Sequence, residues 1–228
     1  MATTQTARPR TTSDTAGLVR LPGVYQPQAD TRLLASVLSR TELPPAARVL
    51  DVCTGTGALA MSAARRGCTE VTAIDISRRA VLTARLNARR LGLPARVHRR
   101  SFVDFDGTFD LVLANPPYVP ATTAVPSGRA RCWDAGADGR ALLDPLCLLA
   151  PRLLRPSGQL LLVHSDVSGV DTTLELLRSS GLVADEVARQ RNPFGPVMQS
   201  RAAFLERAGL IPAGRRYEDL VVIRAGRA

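Results

Sequence analysis

The segment Asn115-Pro116-Pro117-Tyr118 carries the residue types that most directly suggest chemistry. Two successive prolines fix φ, donate no N–H and push the preceding asparagine toward extended backbone. The turn is therefore stiff, and it offers two oxygen acceptors, the Asn115 side-chain carbonyl and the Pro116 main-chain carbonyl. Such a pair suits an –NH2 group. An amide nitrogen is a poor nucleophile because its lone pair is delocalised. Holding both hydrogens and aiming the lone pair at an electrophilic methyl lets positioning supply most of the rate. Tyr118 would then stack on the flat face of the same group.

A second cluster supplies a place for a nucleotide-like cofactor. Asp51-Val52-Cys53-Thr54-Gly55-Thr56-Gly57 stands where a strand hands over to a helix, the point at which open parallel sheets bind nucleotides. Gly55 and Gly57 let the chain turn sharply and approach a ligand closely, and Thr54 and Thr56 add hydroxyls. The run Gly55 to Ala60 also satisfies the loose G-x-G-x-x-G/A pattern, so alone it does not separate S-adenosylmethionine from a nicotinamide cofactor. Asp75, followed by Ile76, lies roughly 20 residues further on, where a carboxylate can accept both ribose hydroxyl protons. Ser77 is the better cap for the following helix, which leaves Asp75 free.

The elements that must position these residues alternate. A helix over Thr31 to Leu38, capped by Asp30, is stopped at Leu43-Pro44-Pro45. Strands are expected at Arg48–Cys53, Val71–Ile74, Ala95–His98, Phe109–Ala114 and Gln159–Val163, with helices at Ala58–Arg66, from Ser77 to Gly92, and at Arg140–Leu154. Pro156-Ser157-Gly158 reads as the turn before the fifth strand. Pro116 to Gly136 is too long for a plain connector and is expected to cover a site. Helix Gly169–Ser180, strand Val183–Arg189, helix Val197–Ala208 and strand Leu220–Arg224 complete the chain. These signals predict a Rossmann-like α/β domain over residues 23–228: a seven-stranded, mostly parallel sheet with an antiparallel C-terminal strand and helices on both faces. Residues 1–22 read as a flexible tail.

Composition narrows the class. At 228 residues with 45% hydrophobic and 22% charged content, the chain suits one globular domain. No apolar run approaches membrane-spanning length and Met1–Pro22 does not read as a secretory signal, so a cytoplasmic location without membrane partners is expected. Cys53, Cys68, Cys132 and Cys147 lack metal-ligand spacing, so no metal is expected. The net charge of +10 would draw polyanions, but the sequence contains no lysine, and wholesale use of arginine points rather to compositional bias.

With these motifs in place, the chain from about Tyr25 to its end resembles the HemK family of class I methyltransferases, which N-methylate the glutamine side chain of translation release factors. Val24-Tyr25-Gln26-Pro27-Gln28-Ala29-Asp30-Thr31-Arg32-Leu33-Leu34 is similar to the V-Y-x-P-x-x-D-T-x-L-L segment of the short eukaryotic and archaeal branch. The resemblance implies S-adenosylmethionine as methyl donor, with Tyr25, Pro27, Asp30 and Thr31 near its methionine part. It also implies that Trp133 and Asp138-Gly139-Arg140 close over the acceptor. Two departures stand out. Cys53 replaces a common glycine, tolerable if φ there stays negative. Arg100-Ser101-Phe102 replaces a Gly-Asp-Leu stretch whose acid contacts adenine, leaving Ser101 as a weaker acceptor beside Phe102.

Three acceptor classes share this chemistry. Protein glutamine is favoured by the resemblance, with a small partner subunit assisting as in the short branch, because only about one helix precedes Arg48 where bacterial enzymes carry a separate helical domain. A specialised small molecule or modified peptide under the Pro116–Gly136 loop is the alternative. A nucleic-acid amino group is less favoured because no target-recognition domain is present. A non-catalytic binding module would be expected to have lost the glycines or the Asn-Pro-Pro core. A dehydrogenase would leave Asn115–Tyr118 unexplained.

Overall fold

The structure, a computed structural model, describes residues 17–123 and 127–227. Its centre is a seven-stranded sheet in the order β3-β2-β1-β4-β5-β7-β6. The strands are β1 (Arg48–Val52), β2 (Glu70–Asp75), β3 (Ala95–Arg99), β4 (Phe109–Ala114), β5 (Leu154–Ser165), β6 (Val183–Pro193) and β7 (Tyr217–Gly226). β1 to β5 pair in parallel, and β7 runs antiparallel to both β5 and β6. One strand is therefore reversed, as the sequence pattern predicts. All six residues of β4 are buried, as a strand covered on both faces requires. The core runs continuously through Leu50, Met61, Ile74, Leu113, Leu146 and Leu161, each at most 1% exposed.

The helices are α1 (Ala29–Arg40), α2 (Ala58–Arg65), α3 (Arg78–Leu91), α4 (Leu143–Leu153), α5 (Val170–Ser179) and α6 (Pro196–Arg207). Ser77 caps α3 by accepting from the Ala80 N–H at 3.3 Å, and Gly92 closes it in the left-handed conformation. Asp30 is not the cap of α1. Gln28 holds that position without a side-chain bond, and Asp30 sits inside the first turn.

Several boundaries differ for identifiable reasons. α4 starts at Leu143 rather than Arg140, because Asp138 to Arg140 form a turn held by Arg140 N–H donating to Asp138 Oδ1. Pro156-Ser157-Gly158 lies within β5 as a bulge: Phe109 pairs with Leu154, but Leu111 pairs with Gln159. β6 and β7 extend well beyond their apolar centres, pairing out to Pro193 and Tyr217 with one bulge between Glu186 and Ala188. The Pro116–Gly136 loop folds back on itself, with Val119 N–H donating to Trp133 O and Ala135 N–H to Val119 O, and carries a 3-10 turn at Gly128–Cys132.

Of the tail expected over residues 1–22, residues 1–16 lie outside the described residues. Gly17 to Pro22 are docked on the domain instead of loose. Asn87 on α3 both accepts from Val19 N–H (2.8 Å) and donates to Val19 O (2.9 Å), while also donating to Thr56 O. One buried amide thus ties the N-terminal segment to the glycine loop.

Candidate active site

The carboxyl ends of β1, β2 and β4 open onto one cleft of about 1340 Å³. Cys53, Gly55, Asp75 and Ile76 line one end, and Asn115 to Tyr118 line the other. Because β1 pairs with β2 and β4 in parallel, with Val52 beside both Ile74 and Ala114, the two motifs emerge side by side on one rim.

The glycine loop is built from within. Asp51, fully buried, accepts at Oδ2 from the Thr54 hydroxyl (2.5 Å) and the Ala60 N–H (3.0 Å). Burial pushes its carboxyl up to about 7, against the pull of those two donors. Asp51, Thr54 and Thr56 therefore brace the loop from behind. Gly57 takes φ +83°, and a Cβ there would sit 3.1 Å from the Ala84 Cβ, so glycine is needed for α2 to approach α3. At Gly55, which lines the cleft, a Cβ would meet nothing nearer than 4.0 Å. Cys53 has φ +57°, contrary to the expectation of a negative value. This turn retains a left-handed backbone suited to glycine, and a cysteine tolerates it at a cost of roughly 1–2 kcal/mol.

Asp75 is less free than the sequence suggests. Its Oδ2 accepts from Gly55 N–H (3.0 Å) and its Oδ1 from Ser77 N–H (2.8 Å), which fix the carboxylate at the cleft wall. Each oxygen keeps a lone pair for a hydroxyl donor. Burial raises its carboxyl above the usual value, opposed by these N–H groups. Ile76, 66% exposed, projects at the same place. A fixed acid, an exposed aliphatic side chain and a glycine without obstruction fit the ribose and base of S-adenosylmethionine. Ser101 and Phe102 do not line this cleft. Ser101 accepts from Val103 N–H, and Phe102 is buried beside a separate hollow of about 460 Å³.

At the other end, Asn115 donates from Nδ2 to the Thr31 hydroxyl at 3.2 Å. The donor half of the amide is thereby engaged, and its carbonyl half, Oδ1, is directed the other way. Thr31 is itself fixed, since its N–H and hydroxyl both donate to Asp30 Oδ1. Asp30 Oδ2 accepts from both Tyr25 (2.7 Å) and Tyr118 (3.1 Å). Burial, followed by the charge of Asp30, raises both phenols far above their ordinary value, so each remains a donor. Tyr118 is thus held by its hydroxyl and only 8% exposed, a clamped wall of the cleft in place of the free stacking ring expected. Tyr25, Pro27 and Trp133 also line the cleft, with the Arg129 guanidinium over the Trp133 ring at 5.8 Å.

Arg140 points elsewhere. Its guanidinium donates to Ser168 O, Gly169 O and Thr173 and pairs with Asp144, so it is a buried tie and not an acceptor-binding group of the cleft. Its effect on the site is indirect: Ser168 donates to Tyr118 O at 2.6 Å, and a Cβ on Gly139 would lie 2.2 Å from that same oxygen. The Asp138-Gly139-Arg140 turn buttresses the Asn115–Tyr118 turn from behind.

Some cleft residues escape sequence reasoning. Asn192, Val197, Met198 and Glu218 come from β6, α6 and β7 and also line the cleft. The alternation of Glu218 with Leu220 and Val222 marks Glu218 as inward-facing, a signal hidden by starting that strand at Leu220.

A reversed seventh strand on a five-stranded parallel core, with a glycine loop, an acid after β2 and an Asn-Pro-Pro-Tyr turn on one rim, defines a class I methyltransferase. Solved structures agree on the fold: the E. cuniculi Mtq2–Trm112 complex, responsible for methylation of the eRF1 translation termination factor, superposes with a TM-score of 0.61 at 20% identity over 90% of this chain and 99% of that one. The sequence model of the methyltransferase small domain matches residues 16–129, and the chain belongs to that family. It is 34% identical over 178 residues to the release factor glutamine methyltransferase of Mycolicibacterium smegmatis, covering 74% of this chain and 63% of that protein. It is 29% identical over 180 residues to the Methanocaldococcus jannaschii protein named as a protein N5-glutamine methyltransferase, covering 78% and 90%. The chain thus spans a little under two thirds of the mycobacterial relative and most of the archaeal one.

Proposed function

We propose that this chain is an S-adenosylmethionine-dependent N-methyltransferase whose acceptor is the side-chain amide of a protein glutamine, of the release-factor type. The observation that carries this reading is the orientation of Asn115: Thr31 takes its Nδ2, so Oδ1 remains as a fixed acceptor on the rim shared with Gly55 and Asp75. When bound, S-adenosylmethionine supplies an electrophilic methyl on a positively charged sulfur. Gly55, Asp75 and Ile76 would hold its nucleoside, and Tyr25 and Pro27 border the space for its amino-acid part, whereas Thr31, expected there too, lies behind Asn115 and does not line the cleft.

The chain's own contribution is positioning. Asn115 Oδ1 and the Pro116 carbonyl hold the two hydrogens of the acceptor amide, and the clamped Tyr118 and Trp133 bound the slot that keeps it flat. The acceptor nitrogen gains a methyl and loses a proton, which leaves to solvent through the open cleft. Neither carbonyl acts as a base. A small partner subunit assisting substrate binding belongs to this proposal, supported by the resemblance to the short branch, as does a cytoplasmic location, where translation factors work. Among the described residues no helix is long and apolar enough to cross a membrane.

Incubation with labelled donor and glutamine-containing peptides tests the proposal, with fragmentation of the product locating the methyl group. Label on the glutamine side-chain nitrogen supports it. Label confined to small aromatic amines or to nucleic acid would replace it with one of the other acceptor classes.

A further inference from the structure

The arginines are not spread evenly along the chain. Residues 76–103 contain eight of them and no aspartate or glutamate, although the whole sequence carries 20 acids. A preference for arginine over lysine does not account for acids being absent from one stretch. Five of the eight, Arg78, Arg79, Arg85, Arg89 and Arg90, lie on α3, and Arg96, Arg99 and Arg100 lie on or just after β3, an edge strand of the sheet. All eight are exposed.

The fold joins these two elements into one face. Arg85 donates from Nε and Nη2 to Val97 O, at 3.0 and 2.8 Å, and fastens α3 to β3. Arg79 and Arg99 likewise donate to main-chain carbonyls, those of Pro22 and Ile76. None of the eight pairs with a carboxylate among the described residues, in contrast to Arg189 and Arg191 on the opposite edge strand β6, which both pair with Asp219. Arg78, Arg79 and Arg99 also line the cleft, so the face runs up to its rim. Because a helix rises about 1.5 Å per residue, α3 carries its arginines along roughly 20 Å, as a strip and not around a pocket.

That arrangement selects the partner. The core of a protein–protein interface is depleted of charge, and protein surfaces mix both signs. Here the exposed Leu82 and Leu86 are separated by Arg85 and bracketed by Arg79 and Arg89, so no apolar core is set apart from the charges. A nucleic-acid backbone carries a negative charge at every nucleotide and none of the opposite sign, which a strip of one sign matches. Phe102, the one Phe, Tyr or Trp in the stretch, is buried, so no aromatic platform is offered to the bases of a single strand. We propose that the exposed face of α3 and β3 binds the phosphodiester backbone of a nucleic-acid duplex, without regard to sequence, and holds it alongside the cleft. The duplex is a docking partner and not the methyl acceptor, so the inference stands apart from the glutamine reading.

The test is fluorescence anisotropy with short labelled RNA and DNA duplexes of unrelated sequence, titrated with the full-length protein over a series of salt concentrations. Wild type is compared with two triple variants that remove equal charge. Arg89→Ala, Arg96→Ala and Arg100→Ala together strip the face at side chains that do not line the cleft. Arg40→Ala, Arg207→Ala and Arg224→Ala together remove exposed arginines from α1, α6 and β7 instead. Wild type should bind duplexes of different sequence equally, with a dissociation constant on the order of micromolar at physiological salt and an affinity that falls steeply as salt rises. The first variant should bind about 10-fold or more weakly, with a salt slope shallower by about 2–3, whereas the second should stay within about 2-fold of wild type. Tighter binding of RNA or of DNA identifies the natural source of the backbone, and either supports the inference. Equal weakening of both variants assigns binding to net charge and overturns it, as does failure of wild type to bind any duplex. Displacement of the duplex by polyglutamate as effectively, charge for charge, as by unlabelled duplex overturns it in favour of an acidic protein. None of these readouts uses a methyl acceptor, so failure of the glutamine reading would leave them unaffected.

Discussion

The orientation of Asn115 is set by what holds the other half of its amide. Thr31 accepts from Nδ2, and Asp30 in turn fixes Thr31, Tyr25 and Tyr118, so three side chains converge on one carboxylate behind one carbonyl oxygen. Asn115→Ala should lower kcat by about 10²–10³, the usual loss for a preorganised polar group, while calorimetric donor affinity changes only a few-fold. Retention of wild-type turnover would refute its role. Cys53 offers a stability prediction at the same scale. A β-branched residue is poorly tolerated at φ +57°, so Cys53→Val should destabilise by about 2 kcal/mol in urea denaturation, whereas Cys53→Gly should be near neutral. The asparagine and its prolines were legible from residue type alone. Their support was not, because an acid before a helix reads as a cap, and only the tertiary structure shows Asp30 turned inward to receive one phenol from nearby in the chain and one from the distant Asn115–Tyr118 turn.

At the scale of elements, the Asn115–Tyr118 turn is backed by the turn that precedes α4. Gly139 lies so close to Tyr118 O that a methyl group has no room, and its φ of +79° disfavours any other residue. Gly139→Ala should therefore lower kcat/KM for the acceptor at least about 10-fold while leaving donor affinity intact; equal losses in both would indicate general unfolding instead. The strands whose apolar runs span their whole length, such as β4, were readable to the residue. The bulge in β5 and the long ends of β6 and β7 were not, since register and polar strand ends depend on a neighbouring strand rather than on local pattern. For the same reason Asn192 and Glu218, cross-strand partners far apart in sequence, went unseen as part of the cleft. Phe102 misled in the opposite direction: its place after β3 suggested the cofactor, but an aromatic ring buries more favourably in the neighbouring hollow.

For the whole molecule, the parallel core places its chemistry on one rim and its most deeply buried titratable groups beneath it. His164 on β5 is fully buried, donates from Nδ1 to Ser165 O and has its pKa lowered to about 4, chiefly by burial. A base neutral in the fold and free to ionise when unfolded contributes stability that is complete above pH 6.5 and is lost as pH falls toward 4, about 3 kcal/mol in all. Asp51 acts in the opposite sense, stabilising most below its unfolded value and less as pH rises toward 7. Comparing wild type with His164→Gln between pH 4 and 7 isolates the histidine contribution, and parallel stability curves would contradict it. The parallel character of the sheet and the reversal of the last strand were legible because strict alternation of strands and helices leaves few topologies. The docking of Gly17 to Pro22 was not, because nothing in that short stretch announces Asn87 as its partner. The most direct test of the central claim is a single-turnover reaction of wild type and Asn115→Ala with labelled S-adenosylmethionine and a glutamine peptide, the methyl group being located by fragmentation. The account predicts one methyl on the side-chain amide nitrogen with wild type and almost none with the variant at matched donor occupancy. A methyl group on any other atom, or equal transfer by both proteins, would contradict it.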